Sequence, residues 1–196
     1  MNMRQLKTHR KCGLMFTVQN RMIMERVELS VSAYLRCIDE SDVTDAYVHG
    51  LNDDDVHKYM EIGKGPAQTI ESVTAYVREQ RVRGDAFLFG FFLHETLRGT
   101  CRLHNITATH ADIGIALFDK SIWGNGWASR LIAEITEIAT INLECSCVNA
   151  GIEFANLASK RAFKKAGYVF NRNINQVSDN DLVEVWEFRL PVDVYK

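Results

Sequence analysis

The segment Trp123-Gly124-Asn125-Gly126-Trp127-Ala128 carries the most distinctive chemistry in the chain. Glycines two apart free the backbone to curl, so that successive N–H groups point into one concavity. A strand-like segment, Ala111 to Phe118, precedes the turn, and a periodic segment with Trp127, Leu131, Ile135 and Ile138 on one helical face follows it. The positive end of that helix would complete a cradle for a pyrophosphate. A purely structural tight turn would use the same residues. Two other phosphate-binding motifs fail on context. The full G-x-G-x-x-G opening a βαβ unit is absent, and no Gly-Lys-Ser/Thr of a Walker loop follows.

About 30 residues on comes Asn156-Leu157-Ala158-Ser159-Lys160-Arg161-Ala162-Phe163-Lys164-Lys165-Ala166-Gly167-Tyr168. The two motifs, separated by one strand, resemble the GNAT superfamily of N-acetyltransferases. In that family a Gln/Arg-x-x-Gly-x-Gly/Ala turn is followed by an Asn and, most of a helix later, by Gly-Phe or Gly-Tyr. The resemblance covers about Tyr34 to Leu190. Trp123 stands where the general motif has Gln or Arg. In this the chain is similar to the branch that acetylates ribosomal-protein N-termini and to relatives in surface-polysaccharide clusters.

The resemblance implies a splayed V between Ala111–Phe118 and Leu143–Val148, holding the pantetheine arm of acetyl-CoA. The arm would pair with backbone near Ala116 and Phe118 and be held by Asn156, with Phe163 on the same wall. The pyrophosphate would lie on Trp123, Gly124, Asn125, Gly126, Trp127 and Ala128. Asn156 can equally be an ordinary helix cap. A neutral amine attacking a thioester must lose a proton, and Asp112 is the candidate base. Many relatives carry a Tyr acid seven residues past the motif Asn. Here that position is Phe163, which has no proton to give, and Ser159 is the substitute candidate. A helical serine bonded back to a carbonyl is the plainer alternative. Tyr47-Val48-His49-Gly50-Leu51-Asn52-Asp53 resembles a stretch of sugar-modifying relatives, with Gly50 in place of Trp. Asn52 and Asp53 are therefore candidate acceptor contacts. Asp53, Asp54, Asp55 and Glu61 can attract a cationic amine or simply be solvated caps.

The elements that must position these groups follow from patterning. Tyr34–Ile38 reads as a strand, and Asp39–Asp42 as the cap of a helix to Leu51. Thr69 caps a helix to about Arg83. Strands are expected over 86–94, 97–106 and 111–118, joined by hairpins, and over Leu143–Val148. A helix over Glu153–Ala166 is closed by Gly167. A strand from Val169, a loop Asn173–Asp181 and a strand Leu182–Leu190 end the order. The expected fold is α/β (α+β), a mixed, mostly antiparallel sheet of about seven strands with a central splay and about four helices. Residues 1–25 read as an appendage and 26–196 as a single domain.

The 23 basic and 25 acidic residues leave a net charge of −2, with no basic excess for nucleic acid. No apolar run is long enough to span a membrane. Five cysteines without a C-x-x-C read as reduced, buried thiols in a cytoplasmic protein, Cys145 and Cys147 on one strand face. The histidines lack metal-ligand spacing, so no metal is expected. The reading is an acetyl-CoA-dependent N-acetyltransferase acting in a ternary complex. Its acceptor is a nucleotide-linked amino sugar or a protein N-terminus, then a polyamine or antibiotic. The rival is a non-catalytic acyl-CoA-binding or regulatory module. A homodimer is left open.

Overall fold

The computed structural model describes residues 26–60, 65–175 and 182–191. The 1–25 segment, Cys12, Glu61 and most of the loop expected before the last strand lie outside them. Among the described residues eight strands form one sheet in the order β1-β2-β3-β4-β5-β6-β8-β7. They are β1 (Val27–Ser30), β2 (Ala33–Cys37), β3 (Phe87–Leu93), β4 (Thr96–His104), β5 (His110–Leu117), β6 (Cys147–Glu153), β7 (Val169–Asn175) and β8 (Leu182–Arg189). All neighbours are antiparallel except β5 and β6. The helices are α1 (Asp45–Leu51), α2 (Asp54–His57), α3 (Ile70–Val82), α4 (Trp127–Glu137) and α5 (Leu157–Lys165).

The run Phe87-Leu88-Phe89-Gly90-Phe91-Phe92-Leu93 is apolar throughout because both faces of β3 are covered. Phe89 and Phe91 enter the core with Leu131, Ile135, Phe163 and Tyr168 of the α4/α5 layer. Leu88 and Phe92 enter the core with Tyr47, Val73 and Val77 of the α1/α3 layer and with Phe118, which follows β5. Gly50 has a packing reason. A Cβ there would come within 2.9 Å of the Phe118 carbonyl oxygen, so α1 can lie on that residue only without a side chain.

Several boundaries differ from the sequence expectation. β1 is too short to signal itself by alternation. Asp39 caps a 3-10 turn, Glu40–Asp42, and Thr44 caps α1, its hydroxyl accepting from the Tyr47 N–H. Leu143–Val148 is not one strand. After α4 the chain winds as a π-helical turn, Ile138–Asn142, and Glu144 adopts a left-handed conformation with φ 57°. Leu143 and Cys145 are apolar because they pack beneath the helix end, not because they pair in the sheet. Cys145 and Cys147 are both buried, but only Cys147 belongs to β6. Glu153 still belongs to β6 and the Phe154 N–H bonds the Leu182 carbonyl, so α5 begins at Leu157 with Asn156 as its cap. Asn173–Asn175 extend β7. The four described cysteines are free, and burial pushes the thiols of Cys37 and Cys101 up to about 11 and 12.

Tyr168 wedges α5 against the sheet. It is 1% exposed, meets the Phe163 ring edge-on at 5.0 Å, and shares a 2.7 Å bond with Thr136. Thr136 gives its own proton to the Ile132 carbonyl, so the phenol is the donor. Tyr168→Phe is expected to cost about 1 kcal/mol for the lost bond. Thermal denaturation should show a fall of roughly 2–4 °C. An unchanged melting temperature would mean that the bond adds nothing net.

Candidate functional site

β5 and β6 are parallel neighbours at only three pairs, His110↔Cys147, Ala111↔Val148 and Asp112↔Asn149. Beyond them β5 stays with β4 while β6 is carried off by β8. The backbone of β5 from Ile113 onward therefore faces a gap on that side, where an extended amide chain can supply the missing partner. A cleft of about 790 Å³ opens there, lined on β5 by Asp112, Gly114 and Ala116 and on α5 by Asn156, Ser159 and Phe163. The spacing of the α5 residues puts them on one helix wall, as expected.

Asn156 serves as a cap, its Oδ1 accepting from the Ser159 N–H at 3.0 Å. That bond uses the oxygen and leaves the amide N–H₂ as the group it can offer to a ligand carbonyl. The Ser159 hydroxyl makes no bond back to a carbonyl among the described residues and sits at the cleft. Phe163 is buried and also belongs to the cleft lining.

The glycine turn lies at the other end of α5. Gly124 and Gly126 have φ of 77° and 80°, and no side chain caps α4. A Cβ on Gly124 would meet nothing within 4 Å, and one on Gly126 only the Lys165 Nζ at 4.0 Å. The turn is thus open to solvent, uncapped and beside a cation, which suits a phosphate. Trp123 is pinned by its indole N–H to the Leu117 carbonyl at 2.9 Å, and Trp127 packs on Phe91. Phe118 is buried against Tyr47. The nine-residue α5 separates turn from cleft by roughly 13 Å. A ligand phosphate at one end and a reactive group at the other need an extended arm between them.

Asp112 stands at the point where the sheet splits. Its Oδ2 accepts from the Asn105 amide at 2.7 Å and its Oδ1 lies 2.9 Å from His110 Nε2. In register it is flanked by His104 on β4 and Asn149 on β6, making a polar row across three strands. Burial, helped by the Arg102 charge, lowers the pKa of His104 and favours its neutral form. Sequence reasoning missed His104, His110 and Asn149. Only the two-residue spacing from His110 to Asp112 on one strand face was a local signal; the other contacts depend on register.

Asn52 and Asp53 do not join this group. Asn52 bonds the Gln68 backbone in both directions, at 2.7 and 2.8 Å, and it is Gln68 that lines the cleft. Asp53 pairs with Lys120 at 2.7 Å, which lowers its pKa. Among the described residues no cluster has the makings of a metal site, and no helix is long and apolar enough to cross a membrane.

The model of the acetyltransferase (GNAT) domain matches residues 33–169. No curated protein matches the chain. Among solved structures, a RimL ribosomal L7/L12 alpha-N-protein acetyltransferase in complex with coenzyme A superposes with a TM-score of 0.76 at 18% identity, over 86% of this chain and 100% of that one. An acetyltransferase from Salmonella typhimurium that modifies the N-terminal serine of ribosomal protein L7/L12 gives 0.74 at 18% identity, over 85% and 99%. A spermidine N-acetyltransferase chimera built partly from the Vibrio cholerae protein gives 0.67 at 16% identity, over 81% and 95%. At these identities the likeness is one of fold.

Proposed function

Because the chain belongs to the acetyltransferase (GNAT) family, whose members take their acetyl group from acetyl-CoA, we propose that it passes that group directly to a primary amine in a ternary complex. The observation that carries this reading is the split between β5 and β6, with an uncapped glycine turn beyond one end and an Asp–His pair at its apex. In it, backbone N–H groups from Trp123 to Ala128 hold the pyrophosphate, and the arm runs past Phe163 to the Asn156 amide. β5 near Ala116 and Phe118 supplies the pairing edge. Asp112 takes the proton from the amine as nitrogen attacks the thioester carbon. The C–S bond then breaks, and Ser159 donates a hydrogen bond to the departing sulfur. Asn52 and Asp53 act on the acceptor wall indirectly, Asn52 through Gln68. The acceptor is a nucleotide-linked amino sugar or a peptide N-terminus, and the site of action is cytoplasmic.

Initial rates measured while both substrates are varied should give intersecting double-reciprocal lines, with no burst of free thiol before amine is added. Parallel lines or a burst would point to an acetyl-enzyme and against direct transfer.

Ser159→Ala is expected to lower turnover roughly 10²-fold, the lower range of general-acid help, with acetyl-CoA affinity unchanged. Phe163→Tyr in that background should restore part of the loss by bringing a phenol to the same wall. Full turnover in Ser159→Ala would show that the thiolate leaves unassisted.

A further inference from the structure

We propose that the acceptor carries an anionic oxygen group, a carboxylate or a phosphoryl, and that Arg102 is the residue that binds it. The inference rests on the acetyl-transfer reading and narrows its acceptor. Arg102 lies on β4 between Thr100 and His104, on the face that looks toward α1 and α3, and all three residues line the cleft. Its neighbours Cys101 and Leu103 enter the opposite core, with α4 and α5. The guanidinium is thus across the sheet from the helix that carries the glycine turn, on the side left for the acceptor.

Although it helps Arg83 to lower the pKa of Asp85, Arg102 has no directly paired carboxylate among the described residues. Its Nε is sealed from water with no hydrogen-bond partner. Among the described residues it makes no salt bridge, whereas Arg36, Arg83 and Arg98 pair with Asp42, Asp85 and Asp119. The Tyr76 ring lies over it, 5.9 Å from centroid to guanidinium carbon, and the Tyr76 phenol is its neighbouring hydrogen-bonding group. Among the described residues the carboxylates that line the cleft are Asp112 and Glu153, and both have partners of their own. Asp112 is engaged by His110 and Asn105. The residue directly opposite Arg102 on β5 is Gly114, where a Cβ would meet nothing within 4 Å. A fork of donors beside open space, in a half-buried setting, is matched by a planar carboxylate or a phosphoryl group. Arg172 on β7 adds a second guanidinium to the lining. A polycationic amine would meet repulsion from both.

The test uses amine pairs of matched size: glucosamine 6-phosphate against glucosamine, and the dipeptide amide Ser-Asp against Ser-Asn. Binding is measured by calorimetry on the full chain in the presence of coenzyme A. At least one anionic member should bind about 10- to 100-fold more tightly than its neutral partner, the range for one charge-assisted pair. The pair that responds identifies phosphoryl or carboxylate as the group. Arg102→Gln should bring the ratio close to one, and Arg102→Lys should keep part of it. If the Gln variant does not fold, the Lys variant and the loss of the wild-type ratio with added salt carry the test. Equal binding within both pairs, a ratio unchanged in a folded Arg102→Gln, or preferential binding of spermidine overturns the proposal. Turnover of the same pairs separates the two readings. A binding preference without acetylation would sink acetyl transfer and leave the anion site. Acetylation of both members with equal kcat/KM would do the reverse.

Discussion

Gly126→Val is expected to abolish useful acetyl-CoA binding while leaving a folded protein. Gly126 holds φ at 80°, a left-handed conformation that costs an L-residue roughly 1–2 kcal/mol and a β-branched one more. The added side chain has room, since the first protein atom a Cβ meets is a lysine ammonium at 4.0 Å. The strain therefore falls on the turn and not on the core. Its relief would re-aim the N–H groups at the start of α4, and the branched side chain would stand in the space proposed for the pyrophosphate. Losing two charge-assisted hydrogen bonds corresponds to roughly 10²–10⁴-fold in affinity. Gly126→Ala, with the same backbone demand and less bulk, should fall between. Calorimetry with acetyl-CoA checks the series against circular dichroism of the same samples. A folded Gly126→Val with wild-type affinity would remove the turn from the account.

Asp112→Asn should lower kcat by about 10²–10⁴-fold, the usual span for a positioned general base. Asparagine keeps the shape and one acceptor oxygen. Its amide N–H₂, however, must face either the Asn105 donor or His110, whose bonds to the carboxylate are 2.7 and 2.9 Å. The melting curve separates a modest stability loss from the rate effect. The deficit should be greatest at low pH, where the amine is protonated and solvent base is scarce, and should shrink as pH rises. Acetyl-CoA affinity should not change, because Asp112 belongs to the floor of the cleft and not to the turn. A variant with the wild-type pH–rate profile would transfer the role to His110 or to bulk water.

The parts of this molecule readable from sequence were those in which a residue type is demanded locally. Of the three glycines with positive φ among the described residues, Gly124 and Gly126 form the turn, and Gly167 ends α5. Thr69 capped α3 where expected, since a capping box is a matter of four residues. The β3–β4 hairpin was readable from its apolar flanks, although its turn uses His94 and Glu95 at φ 50° and 59° and not a glycine. The region from Ile138 to Asn156 was misplaced because apolar continuity does not distinguish a strand from a helix end packed beneath the sheet. The bonds that tie Asn52 to Gln68 and Asp53 to Lys120 span 16 and 67 positions and have no local trace in the sequence. The row His104–Asp112–Asn149 and the placement of Arg102 opposite Gly114 depend on strand register, which only the assembled sheet supplies.

The central claim is direct transfer of acetyl from acetyl-CoA to an amine nitrogen. Its most direct test is to follow free coenzyme A thiol and the mass of the acceptor in one reaction, over a panel of peptide and amino-sugar amines. One N-acetyl group should be gained for each thiol released on at least one acceptor, with both signals lost together in Asp112→Asn. Acetyl-CoA bound at the turn with no acceptor acetylated, or thiol released without acetylated product, would contradict it.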